Sequence, residues 1–295
     1  MSDQEGPLQE PPSSITDQSD FAEPSQEALI ARLGAGRGRK YVRFVAAALG
    51  SIPWIGGLIA ASASLSAEAE QQKLNELQRL WIEQHKEKIQ QLSNTLADIF
   101  FRLDNFGEEV QQRIESPEYL ALVGKGFRSW DEADTEEKRQ MFKTLLTNAG
   151  ASTLCSDDLV RLFLHWIELY HETHFVVMKQ IYHHPNITRG QLWDNIHGSR
   201  PREDSSEADL FRYLIRDLNL GGVIRQARET DAYGHFLRKD TRGQPHKTAS
   251  PVMESAFEDT KPYVLTELGK KFVHYVMDDV APQLGGSSAD GGHAL

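Results

Sequence analysis

Residues 44–72 read FVAAALGSIPWIGGLIAASASLSAEAEQQ, and the placement of this stretch decides the fold. No charged residue appears before Glu68, yet Pro53, Gly56 and Gly57 interrupt the run. Phe44 to Ala67 has the length of a bilayer-spanning helix at about 1.5 Å per residue, but Ala, Ser and Gly supply as much of it as Leu and Ile. Three readings follow. A fixed span keeps Arg37, Arg39, Lys40 and Arg43 on the cytoplasmic side and exports the rest, an awkward fate for a chain with a free cysteine. A turn over Ile52 to Gly57 instead joins two short helices into a hairpin that dips into a membrane and leaves both flanks on one side. Leu49, Ile52, Trp54, Ile55, Leu58 and Ile59 are then the inserting residues, and Gly56, Ala60 and Ser64 form a ridge of small residues suited to close helix contact. In the third reading the same hairpin is buried in a soluble helical bundle.

The 295 residues carry a formal net charge of −11, which argues against non-specific coating of nucleic acid, a mode that depends on basic charge. A single cysteine, Cys155, excludes an intramolecular disulfide framework and fits a reducing compartment. The N-terminus lacks the basic start and apolar core of a secretory signal. The expected location is the cytoplasm, with the inner membrane as the site of association if the hairpin inserts.

Residues 1–38, rich in Ser, Asp, Glu, Gln and Pro, have too little apolar surface to offset ordering and read as a disordered arm. The apolar segment occupies 39–67, a helical region 68–155, and a short tail 281–295 is again polar. From Glu68 to Glu115 the pattern predicts one long helix. Ile82, Ile89, Leu96, Leu103 and Val110 recur every seven residues, with Leu92, Ile99 and Phe106 between them. That stripe is either the inner face of an antiparallel bundle or a stalk that self-associates through Ile82, Ile89, Leu96 and Leu103. Ser116-Pro117 predicts an N-cap followed by proline in the first turn, and Asp134 with Glu137 a capping box. A helix is expected from Ser156 to about Tyr182, with Leu159, Phe163, Trp166, Tyr170, Val177 and Ile181 on one face.

The last third, from Asn186, changes character, within a domain read as spanning 156–280. Thr188 and Gln191 stand at capping-box spacing before a short helix that turns Leu192, Trp193 and Ile196 inward. The stretch SSEADLFRYLIRDLNLGG reads as a second helix with Leu210, Leu214 and Leu218 on its core face, stopped by Gly221 and Gly222. A strand, VIRQ, a long polar loop and the stretch YVLTELGKKFVHYVMDD follow. This order, ending in a strand that leads into a Thr-Glu-Leu-Gly helix start, resembles a winged helix with an unusually long wing. The fold class is therefore mainly α, a helical stalk or bundle with an apolar hairpin, followed by a winged-helix-like α+β domain. Arg212, Tyr213 and Arg216 on the second helix, with Arg225, Arg228, Arg238 and Lys239 in the strand and wing, are the candidate nucleic-acid contacts. Asp209 and Asp217 lie beside those arginines and oppose that role, which leaves a protein partner as the other reading.

No catalytic set, cofactor motif or metal site emerges. The glycines of GAGRGRK lack a preceding strand and a following Lys-Ser or Lys-Thr. His171 and His174 stand three apart without a third ligand, and His174 falls on the apolar stripe of its helix. The segments AALGSIPWIGGLIAA, SPEYLALVGKGF and YVLTELGKKFVHYV together resemble accessory or effector proteins of bacterial anti-phage defence, of the abortive-infection alpha kind. That resemblance implies a non-enzymatic protein whose C-terminal module senses a partner and whose hairpin acts on the inner membrane. The competing reading is a cytoplasmic winged-helix DNA-binding regulator with a helical dimerisation domain.

Overall fold

A computed structural model describes residues 38–56, 76, 79–104, 106, 108–152, 154–228 and 255–277. The expected arm up to residue 37, the tail 281–295, and the candidate residues Leu58, Ile59, Arg238 and Lys239 lie outside the described residues. The chain divides into two compact units, Met1–Ala97 and Asp98–Leu295.

In the first unit a 3-10 turn, Gly38–Tyr41, leads into α1, Val42–Ser51. Pro53 ends α1, because the residue before a proline is pushed out of the helical region; Ile52 accordingly sits at φ −87°, ψ 115°. A helical turn over 53–56 follows. After the undescribed residues the chain is helical again over 79–84 and continues as α2, Lys86–Leu103, which runs on into the second unit. No helix among the described residues is long and apolar enough to cross a membrane.

The expected single helix to Glu115 is in fact two, since α2 stops at Leu103 and α3 spans Glu108–Glu115. Next come α4, Pro117–Glu132, and α5, Glu136–Ala151. Ser116 caps α4 as expected, its Oγ accepting from the Tyr119 N–H at 3.3 Å. The cap of α5 is Thr135 rather than Asp134, with Thr135 Oγ1 accepting from the Lys138 N–H. The helix expected from Ser156 to Tyr182 is also two, α6, Asp157–Leu169, and α7, Glu172–His183, separated at the extended Tyr170 and His171.

Thr188 and Gln191 form the predicted reciprocal box before α8, Arg189–His197. Then follow α9, Ser206–Leu220, β1, Ile224–Gln226, β2, Tyr263–Leu265, and α10, Glu267–Val276. The two strands pair antiparallel with Ile224 opposite Leu265, and Ile187, just before α8, bridges Tyr263. Helices α4, α5 and α6 pack on one another, and α10 packs on both α5 and α7. Phe272 of α10 meets Phe163 and Trp166 edge-on, each at 5.4 Å, which puts this helix at the centre of the aromatic core. Asn148 Nδ2 donates to the Tyr275 carbonyl at 2.8 Å, and the Tyr275 hydroxyl donates back to the Asn148 carbonyl at 3.1 Å. The described residues are thus mainly helical, with one two-stranded sheet.

Candidate functional site

Ser205 starts α9 by accepting from the Ala208 N–H at 3.2 Å, and Gly222, at φ +72°, turns the chain away after it. The inner face is Ala208, Phe211, Leu214, Ile215 and Leu218. Leu210 was expected inward and instead points out, 53 % exposed. Phe211 takes the core position, edge-on to Trp193 at 5.3 Å and stacked on Phe257 at 6.3 Å. Tyr213 and Leu220 are 55 % and 75 % exposed. With Asp217 these residues form a stripe along the helix at intervals of three, four and three.

Of the described candidate cations, exposed Arg216 borders that stripe, three residues after Tyr213 and four before Leu220, and the others are held elsewhere. Arg212 is only 15 % exposed and binds Glu203 and Asp209, the latter at 2.7 Å. Glu203 in turn accepts from the Ser255 hydroxyl and from the Ala256 N–H at 2.9 Å. Burial pushes the Glu203 carboxyl up, but the bonds from Ser255, Ala256 and Arg212 outweigh it and hold the group below its usual range. Arg200 bonds Asp194 and Asp259, each at 2.8 Å, and Thr188 Oγ1 donates to Asp259 at 3.1 Å. A methyl group at Gly190 would collide with Asp259 and Arg200, so glycine makes room for this junction. Arg212 therefore helps anchor the chain where it returns from the long excursion after β1. Arg216 and Arg228 are exposed and Arg225 is half-buried.

Beneath Tyr213 lies His174, 1 % exposed. Its Nδ1 accepts from the His171 N–H at 3.1 Å, which places the proton of the neutral ring on Nε2, 3.2 Å from Asp217 Oδ2. Tyr170 lies against the same ring, at 5.0 Å, and its phenol is pushed up to about 12 by burial and then by Asp217. Desolvation depresses the His174 pKa despite the attraction of Asp217. Protonation also forfeits the Nδ1 acceptor. The folded state consequently binds this proton less readily than the unfolded chain. Stability is complete above the unfolded value of about 6.5 and is lost as pH falls below it toward the depressed folded value. His174→Asn supplies an oxygen in place of Nδ1 without titrating. Thermal melts should therefore show the advantage of wild type over this variant shrinking from pH 7.5 to pH 5, and an advantage that grows over that range refutes the account.

In the first unit Leu49, Ile52 and Ile55 are buried and Trp54 is half-buried. The Trp54 ring lies 5.0 Å from His85 and 5.4 Å from Trp81, and Lys88 Nζ stands 5.9 Å from its centroid. Of the residues assigned to self-association, Leu96 and Leu103 are fully buried, while Ile82 and Ile89 are half-buried. Cys155 is buried and its thiol pKa is raised by desolvation, so little of it is in the reactive thiolate form. Among the described residues no group of three or more His, Cys, Asp or Glu is placed to hold a metal ion.

No protein-family model, curated protein or solved structure matches the chain. The sequence reading missed both the outward Leu210 and the Glu203 anchor. The signal for the first was Phe211, a larger apolar side chain one position on. The second had none, because Glu203 and Ser255 meet only through the fold.

Proposed function

We propose that this chain is a non-enzymatic binding protein, in which a winged-helix module over α7 to α10 recognises a protein partner and the apolar segment directs the response to a membrane. The order helix, bridging residue, helix, helix, strand, strand, helix supports the winged-helix assignment, with Ile187 as the short first strand and α9 as the recognition helix. One observation carries the choice of a protein over nucleic acid. The outer stripe of α9 bears exposed Leu210, Tyr213 and Leu220 with the half-buried Asp217, bordered by Arg216 as its one exposed arginine, while Arg212 is held by carboxylates. Sequence readers of DNA place Arg, Lys, Asn or Gln at such positions.

The membrane part rests on the break at Ile52–Pro53, which suits a hairpin, and on Trp54, Trp81 and Lys88, residue types favoured at a membrane–water interface. The burial of Leu49, Ile52 and Ile55 makes the described conformation the sheathed one, so that membrane action requires their release. This is the mode of a defence effector of the abortive-infection alpha kind. Homo-oligomerisation then belongs to the released form.

The test is binding of random-sequence duplex DNA by anisotropy over a range of salt, alongside flotation with anionic vesicles. The expected outcome is no salt-sensitive DNA binding, and flotation only after mild destabilisation. Arg212→Ala should lower stability by about 1 kcal/mol through loss of the Glu203 anchor, and Arg216→Ala should not. Tight DNA binding that both substitutions weaken establishes the DNA-binding regulator instead.

A further inference from the structure

We infer that the outer stripe of α9 docks a cationic amphipathic helix of a partner protein, an inference that rests on the protein-binding reading above and names the partner's chemistry. Leu210, Tyr213 and Leu220 are each more than half exposed, and their spacing with Asp217 is the one that a second helix meets as a single seam. The inner face of the same helix is locked by Phe211 against Trp193 and Phe257. The stripe is thus presented on a preformed element, and little ordering opposes docking.

Charge decides what covers it. Residues 202–220 hold five carboxylates against three guanidinium groups. Arg202 pairs with Asp204 at 2.7 Å and Arg212 with Glu203 and Asp209, so these contacts occupy three of the carboxylates as well; with Arg216 exposed beside the stripe, the stretch keeps an excess of two carboxylates. The carboxylates prevail, and they repel both a nucleic-acid backbone and an anionic bilayer. A second copy brings the same acidic stripe and a net charge of −11. A helix with leucine-like residues on one side and Lys or Arg along its flanks matches both the apolar seam and the surrounding field.

The full chain is to be titrated, at physiological ionic strength, against two labelled helical peptides of equal length and leucine spacing, one filled with Lys and the other with Glu. The Lys peptide is expected to bind at least about tenfold more tightly. The double variant Leu210→Ser with Leu220→Ser leaves every charge in place and should weaken that binding about tenfold or more, as two half-exposed leucines lose their burial. Both positions face solvent, so an unchanged melting temperature certifies that the variant is folded. Equal binding of the two peptides, or an unchanged affinity in the folded double variant, overturns the inference and leaves the protein-binding reading standing. A wild-type dimer in sedimentation that the double variant dissolves overturns it in favour of a second copy. Salt-dependent duplex DNA binding that is lost in Arg216→Ala overturns both the inference and the reading beneath it.

Discussion

Gly269→Ala is expected to destabilise the unit of residues 98–295 by about 2–3 kcal/mol, although alanine is the better helix former by about 1 kcal/mol. A methyl group at this position would fall on the carbonyl oxygen of Val223 and lie 3.1 Å from its carbonyl carbon. Backbone cannot swing aside as a side chain can. The same carbonyl accepts the Thr266 N–H at 2.9 Å, so retreat of the strand connection breaks the bond that seats the helix. Thr266 Oγ1 also donates to the Gly222 carbonyl at 2.7 Å and accepts from the Gly269 N–H at 2.9 Å. Urea denaturation of the full chain measures the effect, and a variant as stable as wild type shows that the α10 approach is looser than described.

Phe272→Ala should cost more, about 3–5 kcal/mol. The ring is fully buried and faces Phe163 and Trp166 of α6 edge-on and Phe175 of α7 at 6.3 Å. Its removal leaves a cavity walled by rigid aromatic rings on two helices, which cannot collapse to fill it. Phe272→Leu retains most of the volume and should lose clearly less. The comparison of the two variants by denaturant midpoint at constant m-value is the check, and equal losses imply that the site relaxes freely.

The features that were legible in the sequence are local ones. Ser116-Pro117 and Thr188 with Gln191 specify helix starts through a hydroxyl and a fixed spacing, and both form as read. The Thr-Glu-Leu-Gly start of α10 was recognised as a pattern, and its physical content is a cap at Thr266 and clearance at Gly269. Helix continuity failed where apolar periodicity carries on across a break. Leu96, Leu103 and Val110 keep the seven-residue rhythm although α2 ends at Leu103, and Tyr170 stays buried although the helix stops before it. Periodicity reports burial, and burial survives a change of direction. Of the face expected for α9, Leu214 and Leu218 are buried and only Leu210 points outward, its inward place being taken by Phe211. Only the contact of Phe211 with Trp193 and Phe257 decides between neighbouring faces. Arg212 illustrates the limit for sites, since its commitment to Glu203 is made by tertiary structure.

The contacts of Glu203, Arg212, Ser255, Arg200 and Asp259 tie together two stretches that are far apart in the sequence. The chain leaves at the end of β1, held by the Ala227 N–H donating to the Pro262 carbonyl at 2.8 Å, and re-enters where Ser255 and Ala256 are seated on Glu203. Both gateposts are built from residues outside the excursion. The stretches 200–227 and 255–265 are therefore held to each other by contacts among described residues alone, and they should stay joined if the chain between them is cut.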